Sequence, residues 1–284
     1  MLDFLKRKKA EPEKQLTFSS NPNPYIDDDA EDDDSANYTG DGVLVDRALF
    51  ARTVEKHIGQ TGIELEETML DMLTDYYEIV VRSNANINLT AITEAEDFAC
   101  KHIIDSLMLA QFLAPSNKKR LIDVGTGAGF PTLPLAITHP DHLFVVIESM
   151  NKRYEFVKFA CKNVGINNIG INRYRAEEAG HRALFREKFE FATARAVAPL
   201  NVLCEYCLPM VKLGGHFLAM KGANYQEELD GAKNAIFQCG GRFEEVREYT
   251  LPGGDKRAII VIKKVVPCRS SVPRRTALIK NKPF

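Results

Sequence analysis

The segment Asp123-Val-Gly-Thr-Gly-Ala-Gly-Phe-Pro131 follows an apolar run and decides how the chain folds. Gly125, Gly127 and Gly129 are spaced as GxGxG. Glycine adopts backbone conformations that a side chain forbids, and it lets a ligand approach the backbone closely. Pro131 suits the first turn of a following helix. A glycine-rich turn between a strand and a helix is typical of folds that bind a nucleotide-containing cofactor.

Short apolar runs alternate with helical stretches from this turn onward. Runs without polar alternation are typical of parallel strands that are covered on both faces. We predict parallel strands at 120–125, 143–148, 169–174, 189–195 and 215–221.

The last part of the chain has a different pattern. After a predicted helix near 225–239, strands at 242–249 and 257–264 flank the turn Leu251-Pro-Gly-Gly-Asp255. Such a turn predicts an antiparallel hairpin. The sequence therefore predicts an α/β fold, a Rossmann-like parallel sheet that ends in an antiparallel hairpin. This arrangement is typical of class I S-adenosylmethionine methyltransferases.

Composition divides the chain into four parts. Residues 1–42 carry 5 Lys/Arg and 11 Asp/Glu with few apolar residues, so we expect a disordered acidic segment. Residues 43–116 have helical periodicity and form a predicted small N-terminal helical subdomain. The Rossmann-like methyltransferase domain then spans 117–266. Residues 267–284 form a basic C-terminal tail, which either binds a polyanion or stays solvated.

Several classes of protein are disfavoured by the sequence. No apolar run reaches the ~18 residues of a membrane span, and the charged N-terminus lacks the apolar segment of a secretory signal. We therefore expect a cytoplasmic protein without a membrane partner. The six cysteines are spread along the chain and predict no disulfide framework. The pair Cys204 and Cys207 lacks the further ligands of a zinc site, so both are expected in the core.

Two acidic positions distinguish between possible cofactors. Glu148 ends the second predicted strand, where a carboxylate accepts hydrogen bonds from a ribose diol. Asp123 precedes the first glycine, where an acid repels the pyrophosphate of a dinucleotide but suits the amino acid end of S-adenosylmethionine. Glu177 follows the third strand, where an adenine edge would lie. The sequence favours S-adenosylmethionine over a nicotinamide cofactor and predicts no metal.

The segment after the fourth strand indicates which acceptors are disfavoured. Methyltransferases of exocyclic amines commonly carry an Asp/Asn-Pro-Pro-Tyr type motif there, whereas this chain has Arg195-Ala-Val-Ala-Pro-Leu200. Cytosine-C5 enzymes need a thiolate, and no cysteine follows this strand closely. An acceptor that needs little activation remains, such as guanine N7, whose lone pair carries no proton. Alignment of donor and acceptor then supplies most of the catalysis.

Six motifs along the chain carry a family resemblance. They are NLTAI (88–92), HIIDSL (102–107), DVGTGAGFPTLPLAI (123–137), IESMNKR (147–153), RAEE (175–178) and ARAVAPL (194–200). In order and spacing they resemble the motifs of the bacterial small-subunit (16S) ribosomal RNA guanine-N7 methyltransferases, also called glucose-inhibited division protein B. The resemblance covers about 60–264, and the tail PRRTALIKNKPF is similar to the ending of some members.

The resemblance implies a methyl donor, a substrate and a set of site residues. The donor is S-adenosylmethionine, and the partner is 16S ribosomal RNA or the small ribosomal subunit, bound by a monomer. Arg195 is the implied catalytic residue and reaches both cofactor and target. The implied cofactor contacts comprise the glycine loop, the ribose carboxylate and the residues that flank adenine: Gly125, Gly127, Gly129, Phe130, Glu148, Ala176, Glu177 and Arg195.

Other interpretations stay open from the sequence alone. Each of Asn88, His102, Asp105 and Lys221 has either a structural or a functional role. The enzyme could methylate another RNA position or a protein, and a nicotinamide-dependent oxidoreductase or a catalytically silent RNA-binding module are further alternatives. The particular guanine, the choice between naked RNA and an assembled subunit, and the role of the acidic segment are not determined.

Overall fold

The computed structural model describes Tyr25, residues 43–113 and residues 118–284. Within these residues one sheet has the strand order β3-β2-β1-β4-β5-β7-β6, with β7 antiparallel to both neighbours. The predicted parallel sheet with a terminal hairpin is confirmed. The strands are β1 (Arg120–Val124), β2 (Leu143–Ile147), β3 (Ile169–Asn172), β4 (Phe189–Arg195), β5 (Val211–Gly222), β6 (Gly241–Thr250) and β7 (Lys256–Lys264).

Helices precede the sheet and cover both of its faces. The predicted N-terminal helices are present as α1 (Arg47–His57), α2 (Glu67–Ile87), α3 (Ala95–Phe98) and α4 (Asp105–Leu107). The remaining helices are α5 (Thr132–Thr138), α6 (Asn151–Val164), α7 (Ala176–Ala179), α8 (Leu200–Cys207), α9 (Tyr225–Gly231), α10 (Lys233–Gln238) and α11 (Thr276–Asn281).

A wide helical turn joins α3 to α4. Residues Ala99–Ile104 form a π-helical segment, a rare geometry that often occurs at functional sites. Within and just after it lie His102 and Asp105, both buried. This segment belongs to the apolar core between the N-terminal helices and the sheet, which includes Phe98 and Phe130. The helical unit therefore packs directly on the glycine loop.

The opposite face of the sheet packs against α8, α10 and α11. Cys204 and Cys207 are fully buried there, and all six cysteines are free, as the sequence predicts. Ile279 of α11 is also fully buried. The expectation of a solvated tail is therefore wrong for this helix, because its apolar side completes the core.

The predicted disorder of residues 1–42 falls almost entirely outside the described residues. The exception is Tyr25, which is 5% exposed. Its ring lies 5.3 Å from that of Phe189, and its carbonyl oxygen accepts a hydrogen bond from Asn172. Gly170 leaves room for it, because a Cβ there would lie 2.6 Å from the Tyr25 oxygen. The expectation of a disordered segment is wrong for Tyr25, which packs in the core.

Candidate cofactor pocket and arginine cluster

A pocket of about 490 Å³ opens at the carboxyl ends of the parallel strands, where ligands bind in folds of this kind. Its wall consists of the start of the glycine loop, the residues after β2, β3 and β4, part of α8, and the C-terminal segment. The lining residues are Val124, Gly125, Ile147, Ser149, Tyr174, Arg175, Ala176, Glu177, Val197, Ala198, Pro199, Asn201, Val202, Tyr206, Thr276, Lys280 and Pro283.

Gly125 is the glycine of the loop that lies in the pocket wall. Its φ is +75°, a left-handed conformation that L side chains rarely adopt. A Cβ at this position would lie 2.7 Å from Cγ2 of Val197, on the opposite wall. The pocket therefore needs a residue without a side chain here. Gly129 serves packing instead, since a Cβ there would lie 2.8 Å from the Tyr76 hydroxyl.

Glu148 lies behind the pocket and is 3% exposed. Its Oε2 accepts a hydrogen bond from the Gly127 N–H at 3.2 Å, and its Oε1 accepts one from the Met150 N–H at 2.8 Å. Its neighbours Ile147 and Ser149 line the pocket. The carboxylate is thus fixed between the glycine loop and the end of β2, and each oxygen keeps lone pairs for further donors.

Asp123 lies beneath the glycine loop and is fully buried. Burial raises its pKa to about 7, although the hydrogen bond from the Thr132 hydroxyl at 2.8 Å favours the ionised form. Its Oδ1 has no hydrogen-bond partner among the described residues. Asp123 does not line the pocket. The pocket surface therefore does not itself provide the predicted contact between this carboxylate and the amino acid end of the cofactor.

Ala176 and Glu177 line the far side of the pocket, as expected of residues that flank adenine. They begin the short helix α7, directly after Tyr174 and Arg175, which also line the pocket. Glu177 is partly buried, and its Oε1 accepts a hydrogen bond from the Thr276 hydroxyl of α11.

Lys221 does not line the pocket but contacts the segment after β4 that does. Its ammonium donates to the Ala198 carbonyl oxygen at 2.9 Å and to Glu228 at 2.6 Å. Glu228 also accepts a hydrogen bond from the Leu200 N–H, at 2.8 Å. The pair therefore fixes the segment between β4 and α8. The alternative in which Lys221 binds phosphate is disfavoured, because both of its partners belong to the protein and its side chain is 9% exposed.

Arg195 ends β4 and lies in a second group of side chains, the arginine cluster, defined by Arg195, His102, Asp105, Phe130 and Tyr249. Its Nη1 donates to Asp105 Oδ2 at 2.9 Å, and its Nη2 donates to His102 Nδ1 at 3.2 Å. Its guanidinium lies 5.0 Å from the centre of the Phe130 ring. The sequence suggested RNA phosphate or a carboxylate such as Glu177 as the counter-charge of Arg195. A carboxylate does supply it, but the carboxylate is that of Asp105 and not that of Glu177.

His102 is held in a single protonation state by its surroundings. Burial, and then the charge of Arg195, lower its pKa to about 3. Since Arg195 only donates, His102 Nδ1 must accept. The proton of the neutral ring is then on Nε2, which donates to Thr90 Oγ1 at 2.7 Å. The ring stacks on Phe130 with centroids 4.4 Å apart. The neutral imidazole aligns the arginine and does not act as a base near neutral pH.

Asp105 joins the helical unit to the distant hairpin. Its Oδ1 accepts a hydrogen bond from the Tyr249 hydroxyl at 2.8 Å, and its Oδ2 accepts from Arg195. The carboxylate is buried, so both bonds are needed to compensate its lost hydration. Sequence reasoning missed Tyr249, since only the folding of β6 onto the sheet brings it here. Asn88, by contrast, is exposed and ends α2 in a left-handed conformation, which is a structural role.

Comparison with known proteins connects these two sites to a family. The sequence model of the family described as rRNA small subunit methyltransferase G matches residues 69–259, well over half of the chain. The chain belongs to this family. The family resemblance found in the sequence is thereby confirmed, and S-adenosylmethionine is the methyl donor of the rRNA small subunit methyltransferase G family.

Individual relatives agree with the family match. The chain is 40% identical to "Ribosomal RNA small subunit methyltransferase G" of Alkaliphilus metalliredigens over 226 residues, which are 79% of this chain and 95% of that protein. It is 42% identical to the protein of the same name from Leuconostoc mesenteroides over 230 residues, which are 80% of this chain and 96% of the relative.

A solved structure supports the fold. The O-methyltransferase from Bacillus cereus, in complex with SAH, superposes with a TM-score of 0.51 and 15% identity, over 74% of this chain and 97% of that chain. At this identity the likeness concerns the fold, which is that of a class I methyltransferase. Across the described part of the chain, none of the helices has the length and apolar character of a membrane span, and no cluster of metal-ligating side chains occurs.

Proposed function

We propose that this protein transfers the methyl group of S-adenosylmethionine to N7 of a guanine in 16S (small-subunit) ribosomal RNA. The observation that carries the proposal is the juxtaposition of the two sites. The pocket and the arginine cluster share the segment after β4, since Arg195 belongs to the cluster and Val197 lines the pocket. We also propose that the protein acts in the cytoplasm, where a ribosomal substrate is found, and acts as a monomer.

The residues present fit the proposed cofactor. Gly125 leaves open a space that a Cβ would fill, and the pocket volume suits a ligand of nucleoside size. Ala176 and Glu177 offer an apolar surface and a carboxylate for an adenine, and Glu148 offers a carboxylate that can accept from ribose hydroxyls. The bound cofactor supplies an electrophilic methyl group on a sulfonium.

Arg195 would position the acceptor base. Its planar guanidinium keeps its charge and carries several N–H groups, of which three already donate within the protein. Nη1 donates to Asp105 and to the Lys101 carbonyl oxygen, and Nη2 donates to His102. The remaining donors can contact a guanine or a phosphate. Asp105 balances the charge of Arg195. This reduces the repulsion between the arginine and the sulfonium of the donor or the N7-methylated guanine, which are both cationic.

The cluster suits an acceptor that loses no proton. The imidazole of His102 has a pKa of about 3 and is therefore neutral near pH 7. Its Nδ1 accepts a hydrogen bond from Arg195. A guanine N7 presents a lone pair in the ring plane, so alignment of the acceptor with the methyl group is the main requirement. An amine or hydroxyl acceptor would need a base that the arginine cluster does not supply.

Mapping of ribosomal RNA methylation tests the proposal. Mass spectrometry of 16S rRNA fragments from cells with and without the protein should show one N7-methylguanine that is lost on deletion and restored by the wild-type gene. The Arg195→Lys variant serves as the matched control for expression without turnover. Unchanged small-subunit RNA, or loss of a methyl group at another kind of atom, would contradict the proposal.

In vitro assays distinguish the form of the substrate. Methyl transfer to naked 16S rRNA and to assembled small subunits, each with labelled cofactor, shows which form contains an accessible target.

A further inference from the structure

The C-terminal segment is fixed to the methyltransferase domain at several places. Arg274 donates from Nη2 to Glu205 Oε2 at 2.8 Å and from Nε to Oε1 at 2.9 Å. Glu205 is 1% exposed, so this is a buried ion pair with two-point geometry. The guanidinium of Arg274 also lies 3.5 Å from the centre of the ring of Phe284, near the end of the chain. The segment therefore has a defined path over α8.

A second set of contacts holds the beginning of the segment. Arg186 donates to the carbonyl oxygens of Val272 at 2.8 Å and Cys268 at 3.0 Å. The His181 imidazole is 2.7 Å from the carbonyl oxygen of Pro273. Because these contacts use backbone oxygens of the segment, they fix its position without using its basic side chains.

Helix α11 forms one wall of the cofactor pocket. Thr276 and Lys280 of α11, and Pro283 just after it, line the pocket together with residues of the glycine loop and α7. The Thr276 hydroxyl donates to Glu177 Oε1, which leaves Glu177 Oε2 without a hydrogen-bond partner among the described residues. The Lys280 ammonium forms no ion pair with any residue that the structure describes. The second oxygen of Glu177 and the ammonium of Lys280 are thus available to a ligand in the pocket.

We propose that α11 is part of the cofactor site, with Thr276 orienting Glu177 toward the adenosine end of S-adenosylmethionine and Lys280 contributing a further polar contact. The inference rests on the proposed placement of the cofactor. It adds residues beyond the family match, which ends at residue 259. The segment that the sequence suggested as a tail for RNA phosphate is instead a wall that retains the cofactor.

The test measures cofactor binding directly in the full-length protein by isothermal titration with S-adenosylmethionine and S-adenosylhomocysteine. Thr276→Val removes the hydroxyl and keeps the shape of the side chain. It should weaken cofactor binding about tenfold, because Glu177 loses the hydrogen bond that orients its carboxylate. Thr276→Ser should restore most of the affinity. Lys282→Gln, on an exposed side chain of the same segment that does not line the pocket, should bind as the wild type does.

A truncation after Arg275 extends the test, with the melting temperature of the free protein as a check of folding. Loss of α11 should weaken cofactor binding more than Thr276→Val and should increase the dissociation rate. The inference is overturned if Thr276→Val and Thr276→Ser both bind within twofold of the wild type. It is also overturned if the folded truncation keeps its cofactor affinity and only flattens the salt dependence of RNA binding. Failure of the Gly125→Val variant to lose binding would instead overturn the placement of the cofactor itself.

Discussion

The cofactor pocket and the arginine cluster lie side by side at the carboxyl edge of the sheet, yet they are built differently. The pocket is open, and its wall includes the start of the glycine loop, where Gly125 must lack a side chain. The cluster is mostly buried, and its hydrogen bonds join the buried His102 and Asp105 to the partly buried Arg195 and Tyr249. One site is shaped to receive a ligand, whereas the other holds a charged group in a fixed orientation before any ligand binds.

Because of this difference, the two sites should respond differently to mutation. In the pocket, steric changes should affect cofactor affinity, because space is what the glycine loop provides. In the cluster, changes of hydrogen bonding should affect turnover, because orientation is what the buried network provides.

The largest effect is expected for Gly125→Val, which places a branched side chain against Val197. Cofactor binding measured by isothermal titration should weaken by more than about 100-fold, since the side chain occupies the ligand space and the backbone is strained at positive φ. Gly165→Val is the matched control, because Gly165 has φ +83° and open space around its Cβ, far from the pocket. It should lower stability and leave binding unchanged. Equal loss of binding in both variants would refute a steric role for Gly125.

Arg195→Lys should reduce single-turnover methylation by about 100-fold while cofactor affinity changes less than about threefold. Lysine keeps the charge but loses the planar fork that contacts Asp105 and His102. The matched control is Arg120→Lys, which alters an arginine that pairs with Glu190 at the start of β1, outside both the cluster and the pocket. A parallel loss of cofactor affinity in Arg195→Lys would show that the cluster and the pocket are one site.

Tyr249→Phe should reduce turnover by about fivefold, because it removes the hydroxyl that holds Asp105 and leaves the arginine in place. The KM for RNA should rise little, and the melting temperature identifies any general loss of stability. Tyr225→Phe, which loses an exposed hydrogen bond to Glu248, is the control. Turnover that is identical in both variants would remove Tyr249 from the positioning network.

The smallest effect is expected from pH, and it should differ between the two sites. Because burial and Arg195 hold the pKa of His102 near 3, turnover at saturating cofactor should be flat from about pH 6.5 to 8.5. Burial raises the pKa of Asp123 to about 7, so its carboxyl ionises as the pH rises through 7. A cationic cofactor then binds about threefold more tightly.

Binding and single-turnover measurements across this range, with Asp123→Asn as the variant that cannot titrate, separate the two contributions. Turnover that rises steeply through this range without a change in binding would indicate a proton that must leave the acceptor, contrary to guanine N7.

Much of the fold was predictable because its signals are local. The strand, the GxGxG turn and the following helix lie within one short segment, and their residue types alone restrict the backbone. The hairpin after β5 is equally local, since a Pro-Gly-Gly turn separates its two strands. The sequence also placed Gly125, Ala176 and Glu177 near one edge of the sheet, because consecutive parallel strands end there.

The remainder depended on side chains that meet only in the folded protein. The partner of Arg195 is Asp105, the partner of Glu177 is Thr276, and Tyr25 enters the core from a segment of acidic composition. No local pattern encodes these pairs. The pair of Arg195 forms because β4 lies at the centre of the sheet, where the helical unit and the hairpin meet. Glu177 and Tyr25 meet their partners beside β3, at the edge of the sheet. By itself, the sequence determined the fold class, the glycine loop and the family. The pairing of the charged groups and the segment that closes the pocket depend on the tertiary structure. A buried charge must be paired, and its partner is whichever group the fold brings near, however far apart the two residues are in the sequence.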